Sequence, residues 1–290
     1  MIVDAHYHLD PEVEPVERLL AEMERHRIDR VALIATLSPP IRLSAVGLRR
    51  WAAMRAALTG GAHKVGDFLY GLTVRDSGRV SYAGKGVPVY PRPDNSAVER
   101  ALLGHPERFV GWFCVNPRGA IGAAEAEHAL GRPGWIGVKA HPFWHAYAVE
   151  DLDPIAEVCQ ARGKPMLVHL GPPGARGDFR RLPDRFPRLR VLYAHALIPW
   201  YRRAWDEARR RENVFVDLSS PYLDKSLRYD ALRALGPERC VYGSDGPYGY
   251  PGPDGQYDHG AILQQIVQFG MPAPDLEKVL GGNFNVLTAP

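Results

Sequence analysis

One pattern constrains this 290-residue chain more than any other: a short apolar, β-branched run, a turn signal and then an amphipathic stretch, repeated eight times. The runs are Met1–Ala5, Val31–Thr36, Phe109–Val115, Trp135–Ala140, Pro165–His169, Arg190–His195, Val214–Leu218 and Cys240–Gly243. Segments with apolar residues at helical spacing lie between them, such as Val16–Arg27, Ala97–Leu103, Pro154–Ala161, Trp200–Arg211, Lys225–Leu235 and His259–Phe269. Continuous apolar runs suit strands buried on both faces, and an intervening helix makes successive strands parallel. Eight such units predict an α/β protein of the closed (β/α)8 TIM-barrel type, with a doubly wound open sheet as the alternative. Barrels of this kind often use ~250 residues as one unit, so residues 1–290 are read as a single barrel.

The alternation breaks once, between the second and third runs. A helix is expected over Ile41–Leu58, and the Gly/Pro-rich stretch from Gly60 to Pro93, with its GG, GKG and YPRPDN turns, reads as loop. A connection this long is usually functional. In a barrel it emerges at the strand C-terminal face, so the segment of about 38–95 is taken as a lid or specificity insert.

Composition excludes several classes. With 46% hydrophobic residues and a net charge of +3, the chain is not disordered as a whole, and 36 basic against 33 acidic residues is too small a surplus to imply nucleic acid. Cys114, Cys159 and Cys240 are odd in number and widely spaced, which disfavours a disulfide framework and suits a reducing compartment. No basic-then-apolar leader opens the chain and no apolar run reaches the ~18 residues of a membrane span. A cytoplasmic protein with a small-molecule partner, and with neither nucleic acid nor membrane, is expected.

The strand ends carry the chemistry. Side chains alternate along a strand, so His6 and His8 share a face and can reach one cation. Alone, an HxH pair is weak, since a satisfied core histidine is the commoner case. However, His169 ends the fifth run, His195 the sixth, Asp245 follows the eighth, and Lys139 and His141 close the fourth. A barrel brings these ends to one pocket. Neutral imidazoles and a carboxylate are the ligands that Zn2+ and similar cations take, usually three or four from the protein.

In this order (DAHYH, GVKAHP, LVHLG, YAHAL, GSDGP and a terminal GGNFNVL) the chain resembles the amidohydrolase superfamily. Within it, the chain is most similar to the amidohydrolase-related branch that includes aminocarboxymuconate-semialdehyde decarboxylase. The resemblance implies a site with His6, His8, His169 and Asp245 as metal ligands, Asp245 and His195 as catalytic groups, and dimerisation. One divalent ion per chain is favoured over two, with zinc the first choice and manganese, iron or cobalt the alternatives. In binuclear relatives a lysine at the place of Lys139 is carbamylated and His195 binds a second metal; here Lys139 is favoured as an unmodified electrostatic or substrate contact.

A divalent ion makes water a usable nucleophile near neutral pH, and Asp245 and His195 are suited to moving the protons. Metal-dependent hydrolysis of a small carboxylated compound is therefore expected first, nonoxidative decarboxylation of an aromatic or muconate-like acid second, and a non-catalytic ligand-binding barrel third. Trp112, Trp144 and Tyr248 hint at a flat ligand, Arg42 (with Arg49 and Arg50) at a carboxylate clamp, and His141 or His145 at the pocket lining. Core filling for Trp112, a solvated helix face for the arginines and a surface turn for the histidines are the competing readings.

Overall fold

A computed structural model describes residues 1–40, 45–75, 78–82, 85–119, 121–252 and 255–289. Eight strands form one sheet in chain order: β1 (Val3–Leu9), β2 (Arg30–Ala35), β3 (Phe109–Val115), β4 (Trp135–Ala140), β5 (Met166–Val168), β6 (Val191–Tyr193), β7 (Val214–Asp217) and β8 (Cys240–Val241). Every neighbouring pair is parallel. The sheet closes on itself where Ala5 N donates to Tyr242 O (3.1 Å), Asp245 N to His6 O (2.7 Å) and His8 N to Gly246 O (2.7 Å). The fold is thus a (β/α)8 barrel with an insertion between β2 and β3, as the alternation predicts.

Two departures from the expected boundaries bear on the site. β1 spans Val3–Leu9 instead of stopping at Ala5, so both histidines lie within the strand. The Asp4 carboxylate accepts the backbone N–H groups of His6 (3.1 Å) and Ser244 (2.9 Å), and the β1–β2 register shifts between Asp4 and Tyr7. A side chain thus replaces ladder bonds at a place where polar residues suggest a strand end. β5 to β8, by contrast, are shorter than expected, because the chain leaves the ladder early to form the loops of the barrel mouth.

The insert corrects the reading of Gly60–Pro93 as loop. After a helix at Ala45–Thr59 come a second helix, His63–Gly71, and a three-stranded antiparallel sheet of Val74–Arg75, Arg79–Tyr82 and Lys85–Pro88. Gly66 is no helix breaker here. A Cβ on it would lie 2.6 Å from the Ala57 carbonyl carbon, so glycine lets the two helices meet backbone to backbone.

The interior is packed by side chains. Trp112 on β3 is fully buried, and its indole N–H crosses to Ala5 O on β1 (3.0 Å). Gly137 on β4 makes room for that ring, since a Cβ there would sit 2.7 Å from Trp112 Cζ3. Burying such a side chain contributes roughly 2–3 kcal/mol. The three cysteines are buried and unpaired. Among the described residues no helix is long and apolar enough to cross a membrane.

Candidate active site at the barrel mouth

β1 supplies two imidazoles whose orientation is fixed from behind. His6 Nδ1 lies 2.8 Å from Asp217 Oδ2 at the end of β7, and His8 Nδ1 lies 3.3 Å from Ala35 O at the end of β2. With Nδ1–H donated to those oxygens, each ring presents its Nε2 lone pair forward, the carboxylate–histidine arrangement common behind metals. Both Nε2 atoms face the same oxygen, Asp245 Oδ1, at 3.5 Å from His6 and 3.6 Å from His8.

Asp245 and His195 reach this point through unusual backbone. Asp245 has φ +61° and His195 φ +53°, left-handed conformations that non-glycine residues seldom adopt and that recur at functional sites. His195 Nδ1 is 2.8 Å from Ser219 Oγ, and its Nε2 is 3.8 Å from Asp245 Oδ2. The donor atoms of His6, His195 and Asp245 all lie within 4.8 Å of one another. They form a divalent-metal-binding triad.

Asp217, which pattern reading passed over, organises the floor. One carboxylate oxygen holds His6, and the other accepts His195 N (2.9 Å), Ser219 N (3.0 Å) and Ser219 Oγ (2.5 Å). The only signal was a carboxylate ending the run VFVD, as Asp245 follows the last. Gly243 permits the approach, since a Cβ on it would meet those of His6 at 3.0 Å and Ser219 at 3.2 Å. Arg228, wholly buried, donates to the carbonyls of Leu218 (2.8 Å), Ser220 (3.0 Å) and Leu223 (3.2 Å), and so ties down the loop that carries Ser219, Ser220 and Tyr222.

The remaining expected residues divide. His169, His141, Trp144 and Tyr248 line the cleft with Lys139, whose Nζ is 3.2 Å from His6 Nε2. The cleft holds about 620 Å³ including its open mouth, and Leu37, Ser38, Ser220, Pro221 and Tyr222 complete it. His169 stacks on His141 with ring centroids 4.1 Å apart, and its Nε2 is 3.1 Å from the Tyr70 hydroxyl. Trp112 lies in the barrel interior, not among the lining residues, so core filling accounts for it. His145 turns away, with Nε2 3.2 Å from Tyr90 O. Arg49 and Arg50 are exposed, and Arg42 lies outside the described residues.

Burial dominates the electrostatics. Loss of water pushes the imidazoles of His6, His169, His141 and His195 well below the ordinary histidine value, and that of His8 down to about 3; the Lys139 cation adds to the shift at each. Neutral imidazole is the form that binds metal, so these histidines fit a divalent cation without first shedding protons. Burial also lowers the Lys139 ammonium, against the pull of Asp217 and Asp245. The Asp245 carboxyl is raised by burial, opposed by a Ser220 hydrogen bond and by Lys139.

The fold is shared with solved structures of low sequence identity. The 5-carboxyvanillate decarboxylase of Sphingomonas paucimobilis superposes with a TM-score of 0.59 at 15% identity, over 99% of this chain and 98% of that one. A dihydroxybenzoic acid decarboxylase of Polaromonas sp. JS666, with bound manganese and 2-nitroresorcinol, gives 0.59 at 16% identity over 99% and 96%. The 2,6-dihydroxybenzoate decarboxylase of Rhizobium gives 0.57 at 15% identity over 99% and 98%. No curated protein matches by sequence. A family model described as Amidohydrolase matches residues 3–283, nearly the whole chain, and the chain therefore belongs to the amidohydrolase family.

Proposed function

We propose that this protein is a metal-dependent enzyme acting on a small carboxylated compound, and that its reaction is the nonoxidative release of CO2 from an aromatic acid. The observation that carries the metal-dependent reading is the convergence of His6, His8 and His195 on the two oxygens of Asp245. The resemblance-derived ligands His6, His8, His169 and Asp245 hold one divalent ion in this reading. His195 then handles protons, backed by Ser219 and Asp217. A divalent ion there would bind substrate oxygens and offset their negative charge.

Decarboxylation moves ahead of hydrolysis because half-buried Trp144, Tyr222 and Tyr248 offer aromatic faces around the donors, and the fold neighbours named above act on benzoic acids. The step balances simply. Asp245, whose carboxylate faces the cleft, relays a proton to the ring carbon bearing the carboxylate. The carbon–carbon bond then breaks, its electron pair returns to the ring, CO2 leaves and Asp245 recovers a proton from water. Lys139 supplies positive charge beside the site throughout. Hydrolysis is the second reading, favoured by the His195–Ser219–Asp217 chain, which turns the Nε2 lone pair of His195 outward and suits an imidazole that takes a proton from water and passes it to a leaving group.

The deciding experiment incubates protein loaded with Zn2+ or Mn2+ with a panel of hydroxybenzoic acids and of amides and lactones carrying a carboxylate, in H2(18)O. Release of CO2 without label in the product supports decarboxylation. Incorporation of (18)O into a new carboxylate would replace it with hydrolysis, and no turnover on either set overturns the aromatic-acid assignment.

A further inference from the structure

The Tyr70 hydroxyl carries a hydrogen bond from the insert to a candidate ligand of the barrel, His169. The helix His63–Gly71 holds Tyr70, fully buried, with its ring 4.4 Å from Phe143 and its hydroxyl 3.1 Å from His169 Nε2. The helix is tied to the barrel by Asp67, whose carboxylate takes two hydrogen bonds from Arg203 at 2.6 and 2.9 Å. His169 has little freedom. Its ring lies almost parallel to that of His141, at 15°, its backbone N donates to Ala140 O, and its Nε2 edge faces the insert. Among the described residues Nδ1 makes no hydrogen bond, while the side chain lines the cleft.

A neutral imidazole has one N–H, and the partner of one nitrogen decides what the other offers. If the Tyr70 hydroxyl accepts from Nε2–H, Nδ1 keeps a lone pair for the cleft; if it donates to Nε2, Nδ1 carries a proton and cannot ligate. Lys139 and His169 line the same cleft, and an ammonium there disfavours an N–H pointing toward it and favours a lone pair.

We infer that Tyr70 is a positioning residue of the metal centre: it holds His169 in the tautomer and orientation that turn Nδ1 toward the ion. This rests on His169 being a ligand in the function proposed above. It also couples the insert to the barrel, because the ligand field of the metal then depends on how the helix His63–Gly71 is seated.

The test compares wild type, Tyr70→Phe and, as a control on the exposed face of the same helix, Phe68→Ser. Zn2+ affinity is measured by competition with a chromophoric chelator, and the visible spectrum is recorded after loading with Co2+. Loss of a partner behind a metal-bound histidine typically costs 10- to 100-fold in affinity. Tyr70→Phe is expected to weaken Zn2+ binding by about that factor and to shift the Co2+ bands, with Phe68→Ser unchanged in both. Affinity within about twofold of wild type and a superimposable Co2+ spectrum overturn the inference while leaving the metal site standing. Wild type that takes up neither ion overturns the metal reading and this one with it. Should Tyr70→Phe not fold, 15N spectra of the histidines in metal-free wild type decide: an unprotonated Nδ1 on His169 supports the inference and a protonated one overturns it.

Discussion

The barrel mouth and the insert approach the same cleft by different physical means. The barrel brings charge and donors, and it holds them through the backbone ladder and one buried carboxylate, Asp217, which ties β1, β6 and β7 together. The insert backs the cleft wall through individual side-chain contacts: Trp51 with its ring 4.0 Å from that of Tyr222, and Tyr70 on His169. A ladder places several side chains at once and yields little to single substitutions, whereas each insert contact stands on one pair of groups. Reaction chemistry is therefore expected to depend on barrel residues, and substrate fit and the tuning of the metal on insert residues.

The largest break in that comparison should come from Asp245→Asn. The neutral amide keeps the shape but cannot exchange the proton or balance the cation, so turnover should fall by about 10³-fold or more, with far-ultraviolet circular dichroism unchanged. Near-normal rates would remove Asp245 from its assigned role. His195→Ala is expected to cost on the order of 10²-fold in rate while the protein keeps its metal, measured by elemental analysis. Loss of the metal instead would make the triad of His6, His195 and Asp245 the working ligand set.

A smaller effect concerns the seam between the two regions. Burial holds His145 down at about 4, with the Tyr90 carbonyl opposing. Below pH 6.5 the unfolded chain takes up a proton there that the folded protein refuses until about pH 4, so its contribution to stability is lost as pH falls through that window. The free energy of urea unfolding should drop between pH 6.5 and 4, and His145→Gln should flatten that slope. The smallest effect expected is at Asp67→Asn: a single, partly exposed ion pair with Arg203 is worth less than about 1 kcal/mol, so the melting temperature should move only slightly. A larger shift would mean that the insert helix is held mainly by this pair.

Legibility followed the same division. β3 and β4 match their apolar runs residue for residue, because strands covered on both faces must be apolar throughout. His6, His8, His169, His195, Lys139 and Asp245 were all found at the mouth because strand ends are where a barrel sends polar groups. Asp217 was missed, since an acidic residue after VFV looks like the solvated end of a strand until the fold shows it without solvent. Tyr70 was hidden in a segment where Gly66 and its glycine neighbours read as turns. A pattern of propensities does not reveal that a glycine is there to let Ala57 come close.

The order of elements, the barrel and the residue types available for binding a cation were determined by the chain itself, through a periodicity that local burial requirements impose. Which imidazole nitrogen faces the cleft, which carboxylate braces it and which insert side chain touches it were decided only in three dimensions. Those features depend on groups as far apart as His6 and Asp217, or Tyr70 and His169, meeting within hydrogen-bond distance. No local preference encodes such a meeting; closure of the barrel produces it.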